Sequence, residues 1–438
     1  MTTNIADVGA RARRRIAWRL LPLVFLLYVI AYIDRTNVSF AGLRMNADLG
    51  FTDRVFGLGI GMFYITYVLF EIPGALIVER WSARKWIARI MISWGVVTIL
   101  TAFVRTTGQF YVARLFLGAA EASFFPGMIV YLTHWFRLRE RSRAIACLYA
   151  AVPAASLVGS PLAGWLLGVH WRGLAGWRWL FIAEGIPAIA FGVIAFFCLT
   201  DLPSQANWLP LDERQWLNDE LQKEIQAKKK LRDFTILQAF SDRRVLLLIL
   251  IWFLALSAYL GNVYWLPTFV KRLSGFSDRA VSSLMMIPAL IGVAATLFNG
   301  WHSDKTRELP RHTAAPLLFA AMLYCFLILA SPGPIPTIFV LLVATGIVYA
   351  YLPVFWSMPT MILSGSAAAA TFGLINCVGQ LGGLAGPAFV GLLNDRTHSL
   401  TASFVVIVLA YVVAGGLVLS MRIRNPLDVA HAPEAPEI

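Results

Sequence analysis

Ionisable side chains inside long apolar stretches are the groups in this sequence best placed to do chemistry. Placing such a group at the middle of a bilayer costs at least ~2.5–3.5 kcal/mol on insertion scales, so its presence indicates a role in binding or proton transfer. Six of them fall within apolar stretches: Asp34, Arg35, Glu71, Arg114, Glu121 and Glu184. Glu71 and Glu184 lie near the ends of their stretches, where we expect them to pair with neighbouring helix ends.

The four deeper groups combine two cations with two acids. Arg114 and Glu121 are seven residues apart, which places them two turns apart on one helix face, and Asp34 directly precedes Arg35. Arginine holds a carboxylate through two parallel hydrogen bonds. We therefore predict that Arg35 and Arg114 anchor an anionic substrate and that Asp34 and Glu121 carry a coupled proton. The alternative is a buried ion-pair network that only fixes two helices together.

Uncharged polar and aromatic side chains in the same stretches are candidates for the rest of a binding site. Tyr28, Tyr32 and Arg35 follow the i, i+4, i+7 spacing of one helix face, and Tyr64 and Tyr67 lie in the next stretch. Beside an intramembrane arginine, tyrosines could hydrogen-bond carboxylate and hydroxyl groups, although such a stripe is also typical of ordinary packing. Further candidates, for which packing is again the alternative, are Asn37, Asn262, Trp265, Trp356, Asn376 and Gln380.

The elements that must position these groups are transmembrane helices. The chain of 438 residues is 58% hydrophobic and only 14% charged, against roughly 25% charged residues in soluble domains, and its mean hydropathy is +0.69. A helix needs about 20 mostly apolar residues to cross the hydrocarbon core. Twelve such stretches are present: 20–42, 55–78, 86–104, 109–136, 142–168, 177–199, 244–270, 279–302, 314–331, 336–361, 367–393 and 403–421. We predict an all-α polytopic membrane protein with twelve transmembrane helices.

The distribution of positive charge predicts the orientation of these helices. The net charge is +13, but 26 of the 37 Lys and Arg residues fall at or beside the loops on the side of the N-terminus, nine fall on the other side and two lie inside stretches. Lys and Arg are enriched on the cytoplasmic side of membrane proteins. We therefore expect both termini to be cytoplasmic and the basic charge to reflect topology and lipid head groups rather than a nucleic-acid partner.

The sequence carries no signature of catalysis or metal binding. It lacks H-E-x-x-H, Walker and G-x-S-x-G patterns, and its six His residues do not cluster. The four cysteines, Cys147, Cys198, Cys325 and Cys377, have no C-x-x-C spacing. The basic N-terminus leads into an apolar run without a small-residue cleavage site, which indicates a retained first helix rather than a signal peptide. We expect no enzyme activity, no metal and no cofactor.

The widest polar gap, 200–243, divides the chain. It contains an amphipathic segment around Trp216 and Leu217 that suits a helix lying on the membrane surface or against the helix bundle. We predict an N-terminal six-helix half, 1–199, a cytoplasmic linker, 200–243, and a C-terminal six-helix half, 244–438.

The two halves look like repeats of each other. Pro161 and Pro387 begin the similar segments P-L-A-G-W-L-L and P-A-F-V-G-L-L at an offset of 226 residues (387 − 161). Gly74 and Gly300, each at a predicted helix end ahead of a charged loop, have the same offset (300 − 74). Two half-repeats that rock about a midplane site are the plan of one class of secondary transporters.

Several segments resemble a known family. The loop G-W-H-S-D-K-T-R matches the G-x-x-x-D-[RK] signature of the major facilitator superfamily, and its counterpart E-I-P-G-A-L-I-V-E-R has its acid, Glu79, one position late. That variant resembles the anion:cation symporter family within the superfamily. Matching segments elsewhere are Y-I-D-R-T-N-V-S, R-L-F-L-G-A-A-E-A-S-F-F-P-G and G-W-R-W-L-F-I-A-E-G. The resemblance covers nearly the whole chain, and the fourth stretch resembles the tartrate and aromatic-acid branch.

The resemblance implies a substrate class and several residue roles. Members of the family carry organic anions such as sugar acids, tartrate, phthalate and hydroxyphenylacetate, usually with protons, and the superfamily is usually monomeric. The resemblance favours Tyr32 and Tyr67 as substrate ligands. It also implies that charged residues at helix ends form a gate, for which plain topology charge is the alternative: Glu79, Arg80, Arg84, Asp304 and Lys305.

These observations together predict a secondary active transporter of the bacterial inner membrane. It would take up an organic acid anion (a tartrate-like hydroxy acid, a sugar acid or an aromatic carboxylate) with protons by alternating access. Its partners would be the small anion, the proton and the lipid bilayer, and it would act as a monomer. An organic-anion exchanger or a uniporter without proton coupling is the alternative.

Overall fold

The computed structural model describes residues 5–229, 242–306, 308–362 and 366–421, and these residues are almost entirely helical. The N-terminal half contains α1 (Ile5–Leu49), α2 (Asp53–Arg80), α3 (Ala83–Thr101), α4 (Thr107–Glu121), α5 (Phe124–Thr133), α6 (Leu138–Leu166) and α7 (Gly176–Cys198). The linker contains α8 (Leu211–Lys229). The C-terminal half contains α9 (Arg243–Ser274), α10 (Asp278–Leu284), α11 (Met286–Thr306), α12 (Leu309–Ala330), α13 (Pro334–Val348), α14 (Tyr351–Ile362), α15 (Ser366–Gln380), α16 (Gly382–Thr397) and α17 (Leu400–Ser420).

Local sequence explains where many helices begin. Thr52 caps α2 by accepting a hydrogen bond from the backbone N of Val55, and Ser82 caps α3 in the same way through Lys85. A side-chain oxygen at this position satisfies one of the free N–H groups of the first turn. α13 begins at Pro334, where the missing N–H of proline is not needed.

The structure contains the predicted set of membrane helices. Within the described part of the chain, eleven helices are long and apolar enough to cross a membrane, counting a broken helix once. The twelfth, α3, has 19 residues but carries Arg84, Lys85 and Arg89 in its first two turns. It packs closely against α7, where Gly95 and Gly185 lie against each other's carbonyl groups. The predicted all-helical membrane architecture is therefore confirmed, whereas the domain boundaries stay a prediction.

Four of the predicted helices are broken, which the hydropathy pattern did not predict. The broken ones are those expected over 109–136, 279–302, 336–361 and 367–393, which form α4–α5, α10–α11, α13–α14 and α15–α16. The breaks at Ser123 and Tyr349 lie 226 residues apart (349 − 123), at the offset of the sequence repeat. Equivalent helices of the two halves are thus interrupted at equivalent points. Irregular backbone at membrane depth is tolerated where protein buries it or where it lines a cavity.

One face of α2 forms much of the boundary between the halves. Residues 57, 61, 64, 68 and 71 share that face by helical spacing. Gly57 and Gly61 let it approach the backbone of Pro387 and Leu384 in α16 so closely that a side chain at either glycine would collide with it. Small residues of this kind are typical of tightly packed membrane helices.

The linker helix α8 lies against the N-terminal half. The indole of Trp216 contacts Gly9 of α1, and the guanidinium of Arg137 lies 4.9 Å from its ring centroid. Leu217 of the same helix is buried. Ion pairs continue the contact: Arg11–Asp212 at 2.9 Å, Arg137–Glu220 at 2.9 Å and Arg141–Glu224 at 3.1 Å. The amphipathic segment was predicted to lie either on the membrane surface or against the helix bundle. In the structure it packs against the bundle.

Candidate functional site

Arg35 and Glu121 form an ion pair between α1 and α4. Nε of Arg35 donates to Oε1 of Glu121 at 2.9 Å, and Nη2 donates to the same oxygen. The side chain of Glu121 is 2% exposed and that of Arg35 is 17% exposed. The two charges neutralise each other at membrane depth, and the arginine keeps the larger accessible surface of the two.

Aromatic rings surround the guanidinium of Arg35. Its Cζ lies 5.1 Å from the ring centroid of Tyr67, 5.7 Å from that of Phe63 and 5.9 Å from that of Tyr32. Ring faces attract a cation without using its N–H donors. The rings thus leave the N–H groups of Arg35 free to hold the carboxylate of Glu121, and the two tyrosines proposed as substrate ligands do lie beside Arg35.

Arg114 occupies a more enclosed position, also beside Phe63. It is 1% exposed, its Nε donates to the carbonyl oxygen of Gly59 at 3.3 Å, and its Cζ lies 5.1 Å from the Phe63 ring centroid. The helical spacing in the sequence suggested a pair between Arg114 and Glu121. In the structure Glu121 instead pairs with Arg35 of α1, and Arg114 donates to the carbonyl oxygen of Gly59 in α2.

Asp34 and Asn37 form a buried pair on α1, and Glu184 of α7 lies beside them. Both are 1% exposed, and Nδ2 of Asn37 donates to Oδ1 of Asp34 at 3.2 Å. Adjacent residues on an α-helix point about 100° apart, so Asp34 leaves the helix in a different direction from Arg35. The structure thus brings Asn37 to the predicted proton carrier Asp34.

The end of α4 places Glu121 next to a strained turn. Ser123 has φ 67° and ψ 7°, in the left-handed region that residues other than glycine seldom adopt. Its hydroxyl accepts a hydrogen bond from Nε1 of Trp86 at 3.1 Å, and Gly74 of α2 packs directly against it. Such strain is found mainly where surrounding structure fixes a functional site. The signature glycine of α2 therefore makes room for the break that ends α4 beside Glu121.

In the C-terminal half, Asn376 is a candidate that forms a hydrogen bond to the N-terminal half. Its Nδ2 donates to Oε1 of Glu71 at 2.9 Å. Glu71 thus has a pairing partner, as its position near a helix end led us to expect. A second polar contact between the halves joins the hydroxyls of Tyr64 and Tyr264 at 2.9 Å.

The other candidates of the C-terminal half make contacts within it, and Trp265 also lies edge-on to Phe56 of α2, with ring centroids 5.3 Å apart. Asn262 donates to Thr345 Oγ1 at 2.6 Å, and buried Trp265 donates to the carbonyl oxygen of Pro387 at 3.1 Å. Trp356 lies edge-on to Trp252, with centroids 4.9 Å apart. Gln380 is the last residue of α15, where the broken helix turns into α16. A role of these four in substrate binding stays a prediction.

The predicted gating residues lie at helix ends. The backbone N of Arg84 donates to Oδ1 of Asp201 at 2.8 Å, and the side-chain Nε of Arg84 lies 3.9 Å from Oδ2 of Asp201, which is at the start of the linker. Asp304 and Lys305 are exposed near the end of α11. The other two, Glu79 and Arg80, end α2, and their side chains lie outside what the structure describes.

Ion pairs missed by the sequence interpretation join the halves where α1 ends and α2 begins, here called the α1–α2 face. Arg272 donates to both carboxylate oxygens of Asp53, at 2.5 and 2.6 Å. Arg44 donates to Asp278, which Lys271 approaches to 2.9 Å. The basic members had been interpreted as topology charge. The sequence does contain a signal for these pairs. Asp53 and Asp278 lie in loops that are predicted to be on the same side of the membrane as the basic residues.

A small cavity with a mixed apolar and hydroxyl-bearing lining lies between the halves. Its volume is about 50 Å³ and its hydroxyl-bearing lining residues are Thr36, Ser39, Ser156, Ser160, Thr345 and Tyr349. Thr36 and Thr345 donate their hydroxyl protons to carbonyl oxygens of their own helices, and Thr345 also accepts the hydrogen bond from Asn262. Neither Arg35 nor Glu121 lines this cavity.

Comparison with known proteins decides the family. Residues 24–387 match the model of the Major Facilitator Superfamily. The chain belongs to this superfamily. It is 42% identical over 434 residues to an Agrobacterium vitis protein named "Putative tartrate transporter", covering 98% of this chain and 97% of that protein. It is 36% identical over 418 residues to the "Quinolone resistance transporter" of Acinetobacter baumannii, covering 95% of each chain.

Solved structures show the same superfamily fold. The crystal structure of the D-xylose-proton symporter matches with a TM-score of 0.73 at 14% identity, covering 92% of this chain and 97% of the other. The family and the major facilitator fold predicted from the sequence are therefore confirmed. This member of the superfamily is a multi-pass inner-membrane transporter and not an enzyme.

Proposed function

We propose that this transporter takes up an organic acid anion together with protons by alternating access, with both termini in the cytoplasm. The observation that carries the proposal is the Arg35–Glu121 ion pair, in which a guanidinium ringed by tyrosines already holds a carboxylate. A substrate carboxylate would take the place of Glu121. The name of the Agrobacterium vitis relative supports an organic acid as the substrate class.

Proton uptake and anion binding are linked through this pair. While Glu121 is ionised it occupies the N–H groups of Arg35. A proton on Glu121 removes its charge and frees Arg35 for the substrate, so the site stays near neutral in both states. Proton and anion then favour each other's binding, and the coupling is reciprocal. Buried Arg114 contributes a second fixed positive charge beside Phe63, and Asp34 provides a second acid.

The test is uptake by proteoliposomes with and without an imposed pH gradient, with tartrate and gluconate as probes. Glu121→Gln mimics the protonated acid, so it should exchange substrate across the membrane but should not accumulate it against a gradient. Asp219→Asn, which removes an exposed carboxyl of the linker helix, is the control and should accumulate substrate like the wild type. Accumulation by Glu121→Gln in response to the pH gradient would rule out Glu121 as the coupling site. If wild-type uptake does not change when a pH gradient is imposed, the protein is an exchanger or a uniporter.

A further inference from the structure

Glu71 and Asn376 form a polar pair at the boundary of the two halves that the proposed coupling mechanism does not use. Glu71 is 4% exposed, and its Oε1 accepts the amide proton of Asn376 at 2.9 Å. Its second oxygen, Oε2, is buried and has no hydrogen-bond partner among the groups that the structure describes. The pair thus contains an unsatisfied carboxylate oxygen held by residues from both halves.

The position of this pair relative to Arg35 follows from the spacing along α2. Tyr67, whose ring centroid lies 5.1 Å from the guanidinium of Arg35, precedes Glu71 by four residues. Four residues are about one helical turn, a rise of about 6 Å. A molecule that places a carboxylate on Arg35 and extends along α2 towards its C-terminal end therefore meets Glu71 and Asn376.

The chemistry of Glu71 and Asn376 determines which functional group they would accept at the end of the molecule that lies away from Arg35. An ionised carboxylate only accepts hydrogen bonds, and an amide both donates and accepts them. A hydroxyl group would donate to the free oxygen of Glu71 and accept from Asn376. A second carboxylate would meet a like charge in a poorly hydrated site, where repulsion is much stronger than in water.

We propose that Glu71 and Asn376 recognise the hydroxyl-bearing end of a monocarboxylate and disfavour dicarboxylates. This inference rests on the proposed function, because it takes Arg35 as the anchor of the first carboxylate. It narrows the substrate class to hydroxylated monocarboxylic acids of the sugar-acid type. Glu71 is then a specificity-determining residue, distinct from the proton-carrying Glu121.

Gluconate and glucarate form a matched pair of probes. They differ only at C6, which is a hydroxymethyl group in gluconate and a carboxylate group in glucarate. Their affinities for the full-length wild type are to be measured by calorimetry at one fixed, mildly alkaline pH. We expect the wild type to bind gluconate more tightly, and Glu71→Gln to reduce that preference at least about tenfold by removing the repulsion. Glu213→Gln, which removes a buried carboxyl of the linker helix, is the control and should keep the wild-type ratio.

The outcomes separate the two proposals. An unchanged gluconate-to-glucarate ratio in Glu71→Gln, with measurable binding, would overturn the role of Glu71 and leave the proposed function intact. If the wild type binds none of gluconate, glucarate and tartrate, both the proposed function and the role of Glu71 are overturned. If Glu71→Gln fails to fold, Asn376→Leu decides, since it should weaken gluconate binding several-fold without improving glucarate binding. Wild-type affinity for gluconate in that variant would overturn the proposal.

Discussion

Asp53 and Arg272 are joined by two hydrogen bonds, of 2.5 and 2.6 Å, that connect the halves at the α1–α2 face. Arg44 and Asp278 form a second link at the same face. The side chains of Asp53 and Arg272 are 14% and 45% exposed, so we expect their pair to contribute up to ~1 kcal/mol to keeping this face closed. Opening the face for alternating access requires both links to break.

Removing the charge of Asp53 should therefore favour opening of the α1–α2 face. Asp53→Asn should raise the open population up to about fivefold, the equivalent of ~1 kcal/mol. Double electron–electron resonance between spin labels at exposed positions 54 and 279 measures this, in a background without native cysteines. The charge-swapped variant Asp53→Arg with Arg272→Asp should restore the original distance distribution. Identical distributions in the wild type and Asp53→Asn would contradict a role for this pair in closure.

Replacing either intramembrane arginine by lysine should weaken substrate binding. A lysine ammonium cannot copy the two parallel hydrogen bonds of a guanidinium, so we expect Arg35→Lys and Arg114→Lys each to lose at least about tenfold in affinity by calorimetry. Their stabilities should differ. Arg114 is buried and donates to Gly59, so Arg114→Lys should also lower Tm, whereas partly exposed Arg35 should tolerate lysine better. Near-native affinity in both variants would exclude them as anchors.

The sequence predicts the helices of this protein better than it predicts their interruptions. Hydropathy locates membrane helices because the hydrocarbon core requires about 20 apolar residues in a row. The break at Ser123 leaves no hydropathy signal, because packing against Gly74 and the hydrogen bond from Trp86 stabilise its left-handed backbone. Those contacts come from α2 and α3 and are set by tertiary structure.

The same limit applies to the candidate site. The presence of Arg35 and Glu121 at membrane depth could be predicted, because charged residues in apolar stretches are conspicuous. Their pairing could not, because helical spacing relates Glu121 only to residues of its own helix, such as Arg114. Which residue pairs with Glu121 depends on the tertiary arrangement that brings the side chain of Arg35 to the end of α4. The contact between Glu71 and Asn376 likewise joins residues 305 positions apart in the chain.

Docking of the linker helix α8 should depend on salt and pH. Hydrogen bonds from Lys223 and Arg137 lower the pKa of Glu220 below its usual value. A carboxyl with a lowered pKa stabilises the docked state above its ordinary pKa, and this contribution is lost as the pH falls through the lowered value. We therefore expect amide exchange in α8 to speed up, after correction for intrinsic rates, at acidic pH and in high salt.

Glu220→Gln provides the matched variant for this experiment. It removes the charge at every pH, so exchange in α8 should be faster than in the wild type at neutral pH and should vary less with pH. Transmembrane α7, which makes no ion pair with α8 among the described residues, serves as the internal reference. Protection of α8 that is equal in low and high salt would show that Trp216 and Leu217, rather than the ion pairs, hold the linker in place.

Asp34→Asn and Glu121→Gln should separate the two predicted proton sites, because only Glu121 contacts Arg35. Glu121→Gln releases Arg35, so substrate affinity should lose its dependence on pH over the range in which Glu121 titrates. Asp34→Asn leaves the Arg35–Glu121 pair intact, and the new amide oxygen can still accept the hydrogen bond from Asn37. Substrate binding should therefore keep its pH dependence. Accumulation driven by a pH gradient should nevertheless fall, since one of two proton sites is gone. Calorimetry over a pH series and proteoliposome uptake measure the two effects separately. If Asp34→Asn concentrates substrate as well as the wild type, Asp34 carries no coupled proton, and its pair with Asn37 serves only to hold α1 in the bundle.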